Sequence, residues 1–136
     1  DLCARHPGRV GTYIGFEPAL SQEIYAGADA FIMPSKSEPC GLAQMVACRY
    51  GTPPIVRETG GLRDSIHDST MGDGNGFTFA GYNAHELYMA CCNAQDAYND
   101  KENWKNLVHH CMECDFSWDV SAKSYEGLYN ETANLW

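Results

Sequence analysis

A single carboxylate stands in the segment Ser35–Leu42, which reads SKSEPCGL. Pro39 follows Glu38 at once and fixes the backbone there, and Gly41 lets a ligand approach the main chain closely. A carboxylate accepts hydrogen bonds from hydroxyl groups, including those of a sugar. A rigidly held acid beside an open stretch of main chain therefore indicates a binding or catalytic loop.

This loop lies between a predicted strand and a predicted helix. The run Ala30–Met33 is apolar throughout, which predicts a strand buried on both faces of a parallel sheet, and a helical pattern begins at Leu42. Ligands of open α/β sheets bind beyond the carboxyl ends of the strands, so we expect Glu38 to lie in that crevice. The free N–H groups of the helix start would point into the same crevice with the positive end of the helix dipole. They belong to Cys40, Gly41, Leu42 and Ala43.

A second turn, Thr59-Gly60-Gly61, follows the predicted strand Pro53–Val56. Because neighbouring parallel strands end at the same edge of a sheet, we expect this turn to face the crevice that holds Glu38. The pattern by itself leaves a simpler interpretation of Glu38 open, since an acid near a helix start often does no more than stabilise the helix dipole.

Strands and helices alternate along the rest of the chain as well. Short strands are predicted at Gly11–Phe16 and Phe77–Phe79, and a helix from Pro18 to Gly27. The C-terminal part predicts helices whose apolar stripes face a core. The stripes are Leu87, Tyr88, Cys91, Ala94 and Tyr98; Trp104, Leu107, Val108 and Cys111; and Trp118, Ala122, Tyr125, Leu128 and Tyr129. This alternation predicts a parallel, doubly wound α/β sheet. The predicted strands are fewer than the about five or six of a typical sheet, so we expect the chain to begin inside a larger domain.

The composition is that of a globular domain, since the 136 residues are 44% hydrophobic and 20% charged. The formal net charge of −9 argues against nucleic acid or an anionic membrane surface as a general partner. No apolar run is long enough to span a bilayer, and the N-terminus does not resemble a signal peptide. Seven cysteines, an odd number without the spacing of a disulfide scaffold, favour a reducing, cytoplasmic setting.

The longest informative stretch is residues 28–66, ADAFIMPSKSEPCGLAQMVACRYGTPPIVRETGGLRDSI. It resembles the signature region of bacterial glycogen synthases and plant starch synthases, which are retaining family 5 glucosyltransferases of the GT-B fold. The flanking sequences GFEPALSQEIYAGAD and DFSWDVSAKSYEGLY resemble the same family in the right order. The resemblance implies that residues 1–136 are the later part of a Rossmann-like C-terminal nucleotide-sugar-binding domain, with the N-terminal acceptor domain absent.

The resemblance also implies an activity. The family transfers glucose from ADP-glucose, or sometimes UDP-glucose, to the 4-hydroxyl at the non-reducing end of an α-1,4-glucan, with retention and without a metal or other cofactor. The acceptor glucan lies largely against the N-terminal domain, so this chain alone is expected to be inactive. The expected location is the cytoplasm, or the plastid if the chain comes from a plant.

Individual residues receive roles in the same way. Glu38 matches the catalytic acid that contacts the donor glucose, and Phe16 occupies the place of a tyrosine that stacks on adenine. The other matched positions meet the glucose hydroxyls and nucleotide through their amides or lie near the sugar phosphate: Cys40, Gly41, Leu42, Ala43, Thr59, Gly60 and Gly61. The chemistry agrees, because a carboxylate and N–H donors oppose the charges that develop as the diphosphate leaves. A buried core phenylalanine is the alternative interpretation of Phe16.

Two features bear on the alternatives. Many retaining GT-B enzymes hold the ribose with a second glutamate, where this chain has Val46, as is common in the glycogen synthase family. The N-terminal glycine loop and the basic pair that clamps the diphosphate are absent from the sequence and would lie upstream of Asp1. One alternative is another retaining GT-B glycosyltransferase of the sucrose or trehalose type, against which Val46 argues. The other is a non-catalytic nucleotide- or glucan-binding module, which a natural start at Asp1 would favour, whereas the missing initiator methionine favours an excised fragment.

Other conspicuous residues have structural interpretations. Cys111 and Cys114 form half of a common zinc motif, but no second cysteine pair is suitably spaced and Cys111 belongs to an apolar stripe. Cys40 has no recognisable activating base for a nucleophilic role. The glycine-rich stretch 72–76 is predicted to be a flexible surface loop, and Trp136 is expected in the segment that crosses back to the N-terminal domain in GT-B enzymes.

Overall fold

The computed structural model describes residues 1–133 and 135, so Trp136 lies outside the described residues. The helices are α1 (Leu2–Arg5), α2 (Pro18–Gly27), α3 (Ala43–Arg49), α4 (Gly61–Ser65), α5 (Ala84–Asn99), α6 (Lys101–Glu113) and α7 (Trp118–Ala133), and the strands are β1 (Phe31–Met33), β2 (Pro54–Arg57) and β3 (Phe77–Phe79). The strands form one sheet in the order β1-β2-β3, and both pairs are parallel. The parallel α/β sheet predicted from the sequence is confirmed.

The register of the sheet brings two loops to one edge. Met33, the last residue of β1, lies opposite Val56 near the end of β2. Pro54 begins the central strand β2, a position where its missing N–H costs little. The segments that follow β1 and β2 therefore leave the sheet side by side.

The core lies between the sheet and the helices α3, α5 and α6. Its buried residues are Cys48, Ile55, Val56, Leu62, Ile66, Phe77, Phe79, Ala90, Ala94, Trp104, Leu107 and Cys111. The rings of Phe77 and Trp104 stack with their centroids 6.3 Å apart, which joins β3 to α6. The stripe predicted around Trp104 is thus a core stripe, as expected, because burial of apolar surface provides the main driving force for folding.

Two predictions about the sheet were wrong. Gly11–Phe16 is an irregular segment rather than a strand, and the side chains of Ile14 and Phe16 are 93% and 92% exposed. An extended segment stays a strand only where a neighbour takes up its N–H and C=O groups, and no described strand lies beside it. β1 is not buried on both faces either, since Ile32 on this edge strand is 50% exposed.

Helix α7 contains the whole predicted apolar stripe but does not bury it. Trp118 is 84% exposed and Tyr129 is 68% exposed, and no residue of α7 is buried. The spacing of apolar residues specifies an amphipathic helix, but it does not say which element its apolar face contacts. Within the part of the chain that the structure describes, nothing covers this face. Tyr88 of α5 is likewise 66% exposed rather than part of a core stripe.

The glycine-rich stretch 72–76, predicted to be a surface loop, lies only partly at the surface, since Gly72 and Asp73 are exposed. Residues 74–76 are buried, and the Asn75 amide accepts a hydrogen bond from the N–H of His67 at 2.8 Å and donates one to the carbonyl of Ser65 at 2.9 Å. A Cβ on Gly76 would come 2.5 Å from the carbonyl oxygen of Pro54. The glycines therefore serve close packing against the sheet. No helix among residues 1–133 is long and apolar enough to cross a membrane.

Candidate active site

The candidate site lies at the carboxyl edge of β1 and β2, where the sequence placed it. Glu38 is half-buried in the loop between β1 and α3, and its Oε2 atom accepts a hydrogen bond from the hydroxyl of Ser35 at 3.4 Å. The carbonyl oxygen of Glu38 accepts a hydrogen bond from the N–H of Gly61 at 3.1 Å. The loop that carries the carboxylate is therefore tied to the turn that follows β2.

That contact leaves no room for side chains on the glycine turn. A Cβ on Gly60 would lie 2.0 Å from the carbonyl oxygen of Glu38, and one on Gly61 would lie 1.8 Å from the carbonyl oxygen of Cys40. Gly60 also has a φ of +47°, which other residues rarely adopt. The two segments that the sequence assigned to one crevice are thus in direct main-chain contact.

The start of α3 presents main-chain donors beside Glu38. The helix begins at Ala43, and its N-cap residue Leu42 makes no side-chain capping bond. Leu42 is 67% exposed, Cys40 is also exposed, and Gly41 turns the chain with a φ of +74°. Among the described residues, no backbone or side-chain acceptor takes up the N–H groups of residues 40–43. They remain available to a ligand.

Arg57, which sequence reasoning did not single out, ties together the ends of all three strands. Its guanidinium donates from Nη1 to the carbonyl of Lys36, after β1, at 2.8 Å, and from Nε to the carbonyl of Ala80, after β3, at 3.0 Å. The same group lies 5.7 Å from the ring centre of Tyr82. The only feature of the sequence that could have drawn attention to Arg57 is its position as a basic residue at the end of a predicted strand.

The carboxylates of Glu58 and Asp68 both accept hydrogen bonds from Thr78 of β3, close to the turn Thr59–Gly61. The hydroxyl of Thr78 donates to Glu58, next to the turn, at 2.7 Å, and the N–H of Thr78 donates to Oδ2 of Asp68 at 2.8 Å. Burial raises the pKa of Asp68, but hydrogen bonds from Thr70 and Thr78 outweigh it and hold the pKa below its ordinary value. The charged form of Asp68 is thus hydrogen-bonded to Thr78 in the middle of β3.

Gln44 is the second residue that the sequence analysis missed. It lies on the buried face of α3 with Ala47 and Cys48, although the predicted helical pattern began at the exposed Leu42. Its Nε2 atom donates to the carbonyl of Gly41 at 3.0 Å and to the hydroxyl of Ser65 at 3.1 Å. The signal was a polar residue spaced as part of an apolar helical face.

The structure does not bring Phe16 into contact with the Glu38 loop. Its ring is 92% exposed and lines a shallow concavity with Pro18 and Leu20 at the start of α2. The alternative interpretation of Phe16 as a core residue is therefore wrong for the described residues. The ring is accessible to a flat ligand.

The cysteines whose contacts the structure shows pack or form hydrogen bonds within the protein. Cys111 is buried, and its thiol donates to the carbonyl of Asn75 at 3.1 Å. Contact with Cys48 and burial raise the pKa of Cys111. No cluster of three or more metal-ligating side chains occurs in residues 1–133. The exposed thiol of Cys40 contacts the carbonyl of Gly41.

Comparison with solved structures shows the same fold in a known enzyme. The catalytic domain of starch synthase IV from Arabidopsis thaliana, bound to ADP and acarbose, superposes with a TM-score of 0.77 and 45% identity, covering 89% of this chain and 26% of that one. The parallel sheet is accordingly that of a GT-B C-terminal domain fragment.

Curated relatives agree with this likeness. The glycogen synthase of Desulforudis audaxviator is 49% identical over 134 residues, which are 96% of this chain and 27% of that protein. The glycogen synthase of Bacillus anthracis is 48% identical over 130 residues, 94% of this chain and 27% of that protein. The chain thus spans about a quarter of the length of these relatives, and the resemblance seen in the sequence is confirmed. Residues 9–106, which contain every candidate site residue, match the family model for glycosyl transferases group 1, and the chain belongs to that family.

Proposed function

We propose that this chain is the donor-binding part of a glycogen or starch synthase, which transfers glucose from ADP-glucose to the non-reducing end of an α-1,4-glucan with retention. The observation that carries the proposal is the main-chain contact between Glu38 and Gly61, which builds one crevice from the loops after β1 and β2. The glycogen synthases among the relatives and the ADP in the starch synthase IV structure support this choice of donor. Residues 1–136 act here as the later part of a C-terminal domain, and a separate N-terminal domain supplies the acceptor site.

Glu38 is the proposed catalytic residue. As the diphosphate leaves, positive charge develops on the glucose ring and negative charge on the departing oxygens. A carboxylate held beside the ring stabilises the first, and the N–H groups of residues 40–43 stabilise the second; both are in place before reaction, so little reorganisation is needed. Thr59 and Gly60 complete the wall of the crevice near the sugar phosphate.

Phe16 is the proposed platform for adenine. Its ring is accessible, and stacking of a base on an aromatic side chain contributes about 1–3 kcal/mol in nucleic-acid complexes. The proposed reaction uses no metal and no further cofactor, as the resemblance to the glycogen and starch synthases implies. Its proposed location is the cytoplasm, or the plastid in a plant.

The test uses the full-length protein that contains this chain. Incorporation of labelled glucose from ADP-glucose into glycogen, with α-1,4 linkages in the product, is the expected result. Transfer to fructose or glucose 6-phosphate instead would identify the sucrose or trehalose type enzyme. Binding of ADP-glucose or glycogen without transfer by the full-length protein would identify a non-catalytic module. The 136-residue chain alone is expected to incorporate no glucose.

A further inference from the structure

Gln44 is a polar residue in a position that packs like the core. It is fully buried beside Ala47 and Cys48 in the first turn of α3. Its Oε1 atom is buried and accepts no hydrogen bond from any described residue. Burying an amide with an unsatisfied oxygen opposes folding, and an apolar side chain of similar size would avoid that cost. Stability therefore does not explain a glutamine at this position.

The Nε2 atom of Gln44 makes the contacts that explain a glutamine at this position. Nε2 donates to the carbonyl of Gly41 at 3.0 Å and to the hydroxyl of Ser65 at 3.1 Å. That hydroxyl donates in turn to the carbonyl of Gly61 at 2.6 Å. One continuous chain of hydrogen bonds thus runs from the loop that carries Glu38 to the glycine turn after β2.

Close packing holds this series of hydrogen bonds in place. A Cβ on Gly41 would lie 2.6 Å from Oε1 of Gln44, so the amide abuts the main chain of the loop directly. The N–H of Gly61 meanwhile donates to the carbonyl of Glu38 at 3.1 Å. The loop and the turn are therefore joined twice, once through the main chain and once through Gln44 and Ser65.

We propose that Gln44 and Ser65 are positioning residues, which set the spacing between the carboxylate of Glu38 and the turn Thr59–Gly61 without touching the substrate. The proposal rests on the proposed role of Glu38 in glucosyl transfer. A displacement of about 1 Å at a catalytic group can lower a rate by roughly a hundredfold. Loosening the chain of hydrogen bonds should accordingly lower kcat by a larger factor than it raises the Kd for ADP, because adenine is proposed to stack on Phe16, which lies outside the two loops.

The variants Gln44→Met and Ser65→Ala of the full-length protein test this. Both are expected to lower kcat for transfer from ADP-glucose roughly tenfold or more, and the double variant should be little worse than either single one, because the two side chains act as one unit. Thr52→Val is the matched control. The buried hydroxyl of Thr52 donates to the carbonyl of Tyr25 at 2.6 Å, away from the site, so this variant should lose stability but keep its kcat.

Amide hydrogen exchange provides a readout that does not depend on activity. Three amides around the contact are hydrogen-bonded: the N–H of Gly61 donates to the carbonyl of Glu38, that of Leu62 to the carbonyl of Thr59, and that of Val46 to the carbonyl of Leu42. These three amides should exchange faster in Gln44→Met and in Ser65→Ala than in the parent, while Thr52→Val should leave them unchanged. If the parent transfers no glucose, the proposed function fails and exchange alone judges the positioning role. Unchanged exchange of all three amides, or a kcat in both single variants no lower than that of Thr52→Val, would overturn the proposal. If Gln44→Met does not fold, the same measurements on Ser65→Ala test the proposal.

Discussion

Gly61 lies so close to Cys40 that a Cβ on Gly61 would come 1.8 Å from the Cys40 carbonyl oxygen. The loop after β1 and the turn after β2 therefore touch through their main chains. Their separation is set by backbone atoms, which cannot move aside as a flexible side chain can. The shape of the candidate crevice depends on the absence of a single methyl group.

Gly61→Ala should consequently lower both glucosyl transfer and the melting temperature of the full-length protein. The added methyl group must push the loop that carries Glu38 away from the turn. Gly127→Ala in α7 is the matched control, since a Cβ there meets no atom within 4 Å, and alanine favours a helix over glycine by about 1 kcal/mol. Equal activity of the two variants would show that the contact between the loops does not matter.

Glu38→Gln should lower kcat far more than it weakens ADP binding, because the carboxylate is proposed to face the glucose ring while the nucleotide is held elsewhere. Steady-state assays with ADP-glucose and titrations with ADP measure the two effects separately. Glu23→Gln, on the exposed face of α2, controls for loss of a negative charge. A similar loss in kcat and in ADP affinity would point to a structural role for Glu38.

Phe16→Ala should raise the Kd for ADP by about tenfold or more, as expected from loss of a base-stacking contact. Its melting temperature should hardly change, because the ring is 92% exposed. Ile14→Ala is the control, since Ile14 in the same segment is 93% exposed and has no proposed role. Calorimetric titration and thermal melts decide. Normal ADP affinity in Phe16→Ala would remove the stacking assignment.

Asp68→Asn should lower stability at neutral pH and lose this effect in acid. The hydrogen bonds from Thr70 and Thr78 favour the charged carboxylate, so its pKa is lower in the folded state than in the unfolded chain. The stabilisation is then present above the unfolded value of about 4 and disappears as the pH falls through the folded value. Urea unfolding of parent and variant between neutral pH and pH 3 measures the difference, with Asp96→Asn on α5 as an exposed control. A difference between parent and Asp68→Asn that does not shrink in acid would contradict the assignment.

Local patterns predicted those parts of the fold that local chemistry determines. The strands β1 to β3 follow from short apolar runs bounded by proline and glycine, and α2 follows from Pro18 at its start. Glu38 and the turn Thr59–Gly61 could be assigned to one edge, because parallel strands end together.

The remaining features depend on partners that a pattern does not name. In the part of the chain that the structure describes, Gly11–Phe16 has strand-like residues but no neighbouring strand, and Trp118 lies on the exposed apolar face of an amphipathic helix. Gln44 could be recognised only once Ser65 and the carbonyl of Gly41 were seen around its amide. The burial of Asn75 could not be predicted from its own sequence neighbourhood either, because it depends on hydrogen bonds of its amide with His67 and Ser65.

The half-exposed edge strand β1 has a practical consequence for anyone who produces these 136 residues on their own. The outer edge of β1 presents backbone hydrogen-bonding groups next to the half-exposed Ile32. The exposed aromatic residues of α7 add apolar surface. Unprotected strand edges are templates for pairing between molecules. These surfaces offer sites at which two copies of the isolated polypeptide can associate, so its oligomeric state should be measured before ligand titrations on it are interpreted.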